Sequence, residues 1–519
     1  MKKMICRRTL VSVLSILLIA IQAWRAQADE RPNEERPNVV VILVDDLRYD
    51  AFSFMGHPFL ETPHIDALAR GGLQFRNAFV TTSLCSPARA SFLTGQYAHH
   101  HRVVDNNDRM PEGTVTFPQL LQAAGYATAF LGKWHMGGSS DAPRPGFDHW
   151  VSFRGQGTYF PGRQKLNIDG KHVPRTKYIT DELTDYAVRW IAERGADQPF
   201  LLYFSHKGVH GPYRPATRHQ GRYEHAKFVP PATMADTPEN RALKPMWVHD
   251  QRNSWHGVEF PYYGRWGTSI ATLFKRYAET ILSIDESVGR VMQALKKKGF
   301  DRNTLVLFTS DGGHLWGEHG LIDKRCAYEE SMRIPMIAYG PGLVKPGTTC
   351  DAMIANIDLA PTLLEIAGVK IPANVDGQSF LKRFDNPDRG PDREALLYEY
   401  YWEYNFPQTP TTFALRTPRY KLIQYHGIWD TDELYDLAND PRETDNLVHK
   451  PEHRKRVAVM RKRLHERLAE SGGLLIPLGY KRGGGVNQRS ARGSKRARFP
   501  SSMIRDGDVK NAKNNAKKQ

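Results

Sequence analysis

Cysteine is scarce, with four residues in a chain of 519. That excludes a small disulfide-held scaffold, in which thiols come in dense, even sets. Long apolar runs are also missing, apart from one near the start. Leu10 to Ile21 is predominantly apolar over twelve residues, short of the roughly 20 needed to cross a bilayer. Lys2, Lys3, Arg7 and Arg8 precede that run, and Ala26-Gln27-Ala28 follows it. Basic residues, an apolar stretch and small residues in that order form the pattern of an export signal, residues 1–28, which predicts a periplasmic or secreted protein. A membrane anchor is the rival reading, and the length of the run argues against it.

Acidic residues are outnumbered, 56 against 72 Lys and Arg, for a formal net charge of +16. Spread over the body, such an excess would point to nucleic acid. It is confined to the ends: the signal carries +5 and residues 481–519 carry +10, which leaves residues 29–480 near neutral. No nucleic-acid partner follows. The tail, residues 481–519, lacks apolar periodicity and is rich in Gly, Ser, Asn, Lys and Arg. It reads as basic and disordered, with attachment to a polyanion or a surface as the alternative. The 491 residues after the signal exceed the ~250–300 at which a single core stops growing. Two domains are expected, a large one over 37–385 and a small one over 390–480.

Cys6 leaves with the signal, so three cysteines remain. Cys326 and Cys350 could pair or could both stay free and buried, and Cys85 stands alone as a candidate for chemistry.

Asn38 to Val44 is a continuous, β-branched apolar run, the mark of a strand buried on both faces. Asp45 and Asp46 follow at its carboxyl end, where open α/β sheets place their ligands. Phe200 to Phe204 before Ser205-His206, and Thr304 to Ser310 before Asp311, repeat the arrangement. Between these two, Tyr277, Ile281, Ile284, Val288, Met292 and Leu295 recur at helical spacing and Gly299 stops the pattern, so a crossover helix feeds a parallel strand. The fold class is α/β with a large, mostly parallel sheet. A pair of acids at a strand end is often only a solvated turn; three strands delivering polar, metal-capable groups to one place, three carboxylates among them, suggest a hard cation such as Ca²⁺ or Mg²⁺.

Cys85-Ser86-Pro87-Ala88-Arg89, with Leu93-Thr94-Gly95 downstream, matches the Cys-x-Pro-x-Arg recognition sequence of sulfatases. From about Pro37 to Leu447 the chain resembles the formylglycine-dependent sulfatase family of the alkaline-phosphatase superfamily. The resemblance implies that a formylglycine-generating maturation enzyme oxidises Cys85 to an aldehyde before folding, and that the aldehyde hydrate supplies the nucleophilic hydroxyl. A gem-diol bound to a cation loses a proton more readily than an ordinary alcohol, which makes attack on sulfur reasonable near neutral pH. The metal would be Ca²⁺, with Mg²⁺ the other fitting ion, held by Asp45, Asp46, Asp311 and the converted Cys85. By the same resemblance Arg89 holds the hydrated aldehyde, Lys133 and His135 of Gly132-Lys133-Trp134-His135 contact sulfate and aldehyde oxygens, His210 protonates the leaving oxygen, and Lys324 is a second sulfate-binding lysine.

Two positions depart from the family pattern. Gly312 stands where an amide or imidazole usually completes the metal shell, which predicts weaker metal binding; water or His314 are the candidates to fill the place. Gln96 stands where the family often has arginine, which puts efficient cysteine conversion in doubt.

Tyr420 to Tyr425 and Asp432 to Leu437 are strand-like, and Val457, Met460, Leu464 and Leu468 give a closing helix one apolar stripe. A small C-terminal α+β domain of antiparallel strands and a helix is expected, as in the family. Residues 212–270 form a long connection with Tyr213, Trp247, Trp255, Tyr262, Tyr263 and Trp266, a candidate sugar-binding rim in which some rings serve only packing. Val103 to Asn107, Ser152 to Gly157 and Gly317 to Gly320 look similar to the N-acetylglucosamine-6-sulfatase and mucin-desulfating branch, which implies a sulfated carbohydrate as substrate. Two alternatives remain open: a phosphodiester or phosphonate monoester hydrolase of the same superfamily, and a non-catalytic protein that binds sulfated glycans.

Overall fold

The computed structural model describes residues 36–242, 244–259, 268–390, 393–403, 405–426 and 430–475. The expected export signal with Cys6, the basic tail, and Tyr262, Tyr263 and Trp266 lie outside the described residues.

The strands of the first part are β1 Asn38–Val44, β2 Leu73–Phe79, β3 Ala127–Lys133, β4 His149–Phe153, β5 Lys165–Ile168, β6 Lys171–Pro174, β7 Phe200–Ser205, β8 Thr304–Ser310, β9 Leu315–Trp316, β10 Ile322–Asp323, β11 Arg333–Ile334, β12 Met336–Tyr339 and β13 Thr348–Ala355. Among the described residues, all but the β9–β10 pair join one eleven-stranded sheet of order β11-β2-β12-β8-β1-β7-β3-β4-β5-β6, with β13 beside β2. Its centre, β8-β1-β7-β3-β4, is parallel. Antiparallel pairing enters at β12 on one side and at β5 and β6 on the other.

The unbroken apolar run of β1 has a direct cause. Val39, Val41 and Leu43 belong to the apolar cluster on one face of the sheet, and Val40, Ile42 and Val44 to the cluster on the other. With both faces covered, no position of the strand faces water, and truncation there costs about 2–5 kcal/mol for a Leu or Ile to Ala change. Helix α1 Cys85–Thr94 lies on the first face, and α2 Ile179–Ala192 and α3 Ile270–Lys298 on the second. The ends of α3 follow from its residues: the Ser269 hydroxyl accepts from the Thr272 amide, and Gly299 stops the helix with φ +73° after Lys296, Lys297 and Lys298. The stripe at helical spacing packs inward, and the chain β7, α3, β8 makes the expected crossover.

Toward the C-terminus, β14 Leu396–Tyr400, β15 Thr411–Arg416, β16 Tyr420–His426 and β17 Glu433–Asp436 form an antiparallel sheet. Helix α4 Arg454–Glu470 buries Val457, Met460, Leu464 and Leu468 against it. This sheet shares its apolar cluster with the Val39 face of the large sheet.

Cys326 and Cys350 are buried free thiols, and Cys350 Sγ donates to the Pro387 carbonyl at 3.3 Å. Two rings of the expected sugar-binding rim are core residues instead. Tyr213 is buried with its hydroxyl 2.9 Å from His314 Nε2, and Trp247 packs edge-on to Tyr425. Trp255 is half-buried. Among the described residues no helix is long and apolar enough to cross a membrane.

Candidate active site

Three parallel strands end side by side. Asp45 and Asp46 follow β1, Asp311 follows β8, and the Asp311 amide donates to Val44 O at 3.1 Å while the Asp46 amide donates to Asp311 Oδ1 at 3.1 Å. Cys85 is the first residue of α1, and its thiol donates to Asp45 Oδ1 at 3.4 Å. Asp45, Asp46, Cys85 and Asp311 are fully buried, and one ligand atom from each lies within 4.8 Å of the others. The four residues expected to hold a metal are thus brought together.

Arg89, one turn along α1, ties this cluster to β3 and β7. Its Nε donates to Asp311 Oδ2 at 2.7 Å, and its Nη1 donates to Lys133 O and to Ser205 Oγ, each at 2.6 Å. Glycine at position 132 permits the approach of the two strands: φ is +117°, and a Cβ there would lie 1.7 Å from the Ser205 carbonyl oxygen. Lys133 then points its ammonium at Asp45 Oδ2 and at Gln156 Oε1, the latter at 2.6 Å. Lys324, after β10, pairs with Asp46. His135 Nδ1 lies 3.2 Å from Ser86 Oγ, next to Cys85. His210 Nδ1 donates to Gly211 O at 2.7 Å, which turns Nε2 toward Asp46 Oδ2 at 3.8 Å. The other five residues expected to carry catalysis, Arg89, Lys133, His135, His210 and Lys324, lie around Cys85.

The electrostatics follow from burying many charges together. Burial opposes ionisation of Asp45, yet Lys133, His210, Arg89 and Lys324 hold it well below the usual carboxylate range. Asp46 is pushed up to about 7 by burial, with the carboxylates of Asp45, Asp311 and Asp323 adding to the push against Lys324. Burial and then the Asp45 charge push the Cys85 thiol above its ordinary value, so the unmodified side chain is a protonated, weak nucleophile. His210 and His135 are held well below the usual imidazole value by burial and the neighbouring lysine charge.

The donor set fits a hard divalent cation. Three carboxylates converge in a buried place, Asp46 Oδ2 has no hydrogen-bond partner, and among the described residues Arg89, Lys133 and Lys324 pair with the acids. Oxygen donors of this kind suit Ca²⁺ or Mg²⁺. Cys85 is a free, buried thiol within this cluster. Gly312 contributes no side chain, and a Cβ there would touch only Lys324 Cδ, at 3.4 Å. His314 is buried with Nδ1 4.0 Å from Asp323 Oδ1 and without a hydrogen-bond partner, and it groups with Asp46 and Asp323 rather than with Asp45, Cys85 and Asp311. Gln96 turns outward and donates to Asn374 O at 2.8 Å.

Three further side chains shape the site without having been singled out by sequence. Gln156 accepts from Lys133, and Asn106 Oδ1 accepts from the Ser86 amide at 3.0 Å. Both sit in segments that look branch-specific, and that placement was the available signal. Lys207 is buried, lies 4.6 Å from the Tyr159 ring, and donates to His210 O at 3.4 Å, while Tyr159 Oη donates to the same carbonyl at 2.6 Å. Burial pushes Lys207 down to about 7. A lysine just beyond a fully apolar strand was the hint.

A buried oxygen cluster at the carboxyl ends of parallel strands, joined by a cysteine at a helix start, fits a hydrolase of the alkaline-phosphatase-like fold. The sulfatase family model matches residues 37–369, and a model described as the C-terminal region of N-sulphoglucosamine sulphohydrolase matches residues 317–470. The chain belongs to the sulfatase family, and it is a sulfatase. It is 32% identical to an N-acetylglucosamine-6-O-sulfatase of Bacteroides thetaiotaomicron over 509 residues, covering 87% of this chain and 90% of the relative. It is 29% identical to human N-acetylglucosamine-6-sulfatase, covering 73% of this chain and 70% of that one. A protein solved in complex with its substrate D-glucosamine-2-N,6-O-disulfate superimposes with a TM-score of 0.77 at 31% identity, over 84% of this chain and 98% of that one.

Proposed function

We propose that the chain is an exported hydrolase of 6-sulfate esters on glucosamine-type residues of glycans, with Cys85 converted to formylglycine by a maturation enzyme. The observation that carries the reading is the convergence on Cys85 of Asp45, Asp46, Asp311, Arg89, Lys133, His135, His210 and Lys324. The relatives named for N-acetylglucosamine-6-sulfate and the neighbour bound to a 6-O-sulfated glucosamine support the substrate class.

Asp45, Asp46, Asp311 and the converted residue 85 hold Ca²⁺ or Mg²⁺ in this reading. Together, metal and formylglycine supply an activated hydroxyl at sulfur when present. This chain's own side chains do the rest. Arg89 fixes the position of residue 85 against Asp311. Lys133 and Lys324, for whose carboxylate partners a bound cation competes, neutralise sulfate oxygens. His210, with its Nδ1 proton held by Gly211 O, exchanges a proton with the leaving oxygen through Nε2. Burial keeps the free imidazole neutral, and an anionic sulfate ester bound beside it favours protonation at Nε2, from which the proton passes to the leaving oxygen.

Peptide mass spectrometry of protein made alongside a formylglycine-generating enzyme tests the nucleophile, and a panel of sulfated monosaccharides tests the substrate. The expected results are an aldehyde at position 85 and cleavage of 6-sulfated N-acetylglucosamine. An intact thiol despite a competent maturation enzyme rejects the nucleophile. Cleavage of aryl phosphodiesters in preference to aryl sulfates favours the alternative of a phosphodiester or phosphonate monoester hydrolase; the chain shares the fold of two phosphonate monoester hydrolases at TM-scores of 0.67 and 0.71.

A further inference from the structure

A groove of about 690 Å³ adjoins the site and takes no part in the chemistry described above. Arg109, Glu112, Thr116, Trp134, Met136 and Arg144 are among its walls. Two connections tie it to Cys85. Trp134 and Met136 flank His135 in the chain, and Arg109 is three residues beyond Asn106, whose side chain holds the Ser86 amide. Three residues span at most roughly 11 Å, and the Gly137 amide donates to Asp108 O at 2.9 Å, which holds the two segments together.

The groove is charged on one side. Among the described residues neither Arg109 nor Arg144 has a carboxylate within 4.0 Å. Arg109 Nη2 donates to Ser139 Oγ at 2.9 Å, and Arg144 Nη2 donates to Ser140 O at 3.4 Å. Arg144 lies over the Trp134 ring at 5.9 Å, and its Nε is buried without a hydrogen-bond partner. The nearby acids do not neutralise the pair. Asp141 is occupied by His172 at 3.1 Å and Arg154 at 3.6 Å, and Glu112 is exposed and forms no ion pair with either arginine. Burial, and next the charge of Arg109, push Arg144 below the usual guanidinium value. Two guanidinium groups facing one groove with no carboxylate in ion-pair contact make a place for an oxyanion, two of whose oxygens arginine binds in a forked geometry. The volume falls in the range of small-molecule sites.

We propose that this groove is a subsite for a second oxyanion, a sulfate or carboxylate on the sugar residue next to the one whose ester lies at Cys85, so that the preferred substrate is a polyanionic glycan chain. The inference rests on the sulfate-ester reading of the Cys85 site for the identity of the neighbouring sugar, and the groove itself rests on Arg109 and Arg144.

The test uses the full chain, with Cys85→Ala for binding and the converted enzyme for turnover. Arg109→Ala, Arg144→Ala and the double substitution are compared by calorimetry with three probes: a tetrasaccharide carrying several sulfates, the same tetrasaccharide with uronate carboxylates as its only anions besides one 6-sulfate, and the 6-sulfated monosaccharide. The double variant is expected to bind the polysulfated tetrasaccharide about tenfold or more weaker, and its kcat/KM ratio of tetrasaccharide over monosaccharide to fall by a similar factor. Whichever tetrasaccharide loses more affinity identifies the anion as sulfate or carboxylate. Arg109→Glu, at an exposed position, serves as a second variant should Arg144→Ala lower the melting temperature. Tetrasaccharide binding equal in wild type and in the double and Arg109→Glu variants overturns the groove. Arginine-dependent binding by an enzyme that cleaves no sulfate ester leaves the groove standing and rejects the function proposed for Cys85. Monosaccharide cleavage with arginine-independent binding does the reverse.

Discussion

Arg89 Nε donates to Asp311 Oδ2 at 2.7 Å, bridging residues 222 positions apart in the chain. The same guanidinium holds the Lys133 carbonyl and the Ser205 hydroxyl, so one side chain fixes the relative placement of α1, β3, β7 and the end of β8. Arg89→Ala leaves Asp311 buried with its main counter-charge removed. A loss of about 3–5 kcal/mol is expected, read by urea denaturation, together with loss of sulfate-ester hydrolysis. Arg89→Lys keeps the charge and loses the fork, so it is expected to recover part of the stability and little of the rate. A fully stable Arg89→Ala protein would contradict this role.

Gln156 accepts a hydrogen bond from the Lys133 ammonium at 2.6 Å. Gln156→Leu removes the acceptor from a buried cation. Bonds to charged groups contribute about 1.5–3 kcal/mol, so kcat/KM is expected to fall roughly 10- to 100-fold while the half-buried position leaves the melting temperature nearly unchanged. Equal losses of stability and rate would make Gln156 a packing residue.

Several buried histidines make the fold acid-sensitive. His101 is pushed down to about 3 by burial, with the charges of His99 and His100 adding; its Nδ1 accepts from the Val103 amide at 3.1 Å and its Nε2 lies 3.0 Å from Ser91 Oγ. His206 is likewise pushed down to about 3 by burial. Because the folded values lie below the unfolded one near 6.5, the unfolded chain takes up more protons between about pH 6.5 and 3. Stability is therefore full above that window and lost as pH falls through it. Denaturation followed at pH 7, 5 and 4 is expected to show a steeper decline for wild type than for His101→Gln. Parallel declines would refute the assignment.

Position 312 has room for a ligand. A Cβ at Gly312 meets only the flexible Lys324 side chain. Gly312→Asn places an amide oxygen beside Asp311, and about tenfold tighter Ca²⁺ binding is expected by titration calorimetry of the metal-free protein. Unchanged or weaker binding would mean that the place is filled from elsewhere, with the unpartnered Nδ1 of His314 the next residue to substitute.

The parts of this arrangement that the sequence makes legible are those with local causes. β1 announces itself because burial on both faces demands an unbroken apolar run, and the acids after β1 and β8 stand out against such runs. Cys85 and its companions are legible through the sulfatase motif. The antiparallel course of β12 is not legible, since nothing in Met336–Tyr339 distinguishes the two directions of a short apolar strand. Tyr213 and Trp247 illustrate a different limit. An aromatic ring suits a sugar platform and a core equally well, and only the course of the long connection decides that Tyr213 faces His314. Gln156 and Lys207 escape for a third reason: their partners, Lys133 and the His210 carbonyl, are met through folding of loops that carry no periodicity.

Every residue of α1 is buried, Cys85 among them. An enzyme that oxidises Cys85 has to reach it before this helix docks, so maturation and folding compete in time. The topology favours the first of the two. Val39 pairs with Leu201 on one side and Leu305 on the other, and Asp311 emerges 222 residues after Arg89. At about 5–20 residues per second of synthesis, that gap lasts on the order of ten to forty seconds. Until it closes, the cysteine has no finished pocket to enter, and the long delay between its making and its burial is the window that the proposed conversion requires.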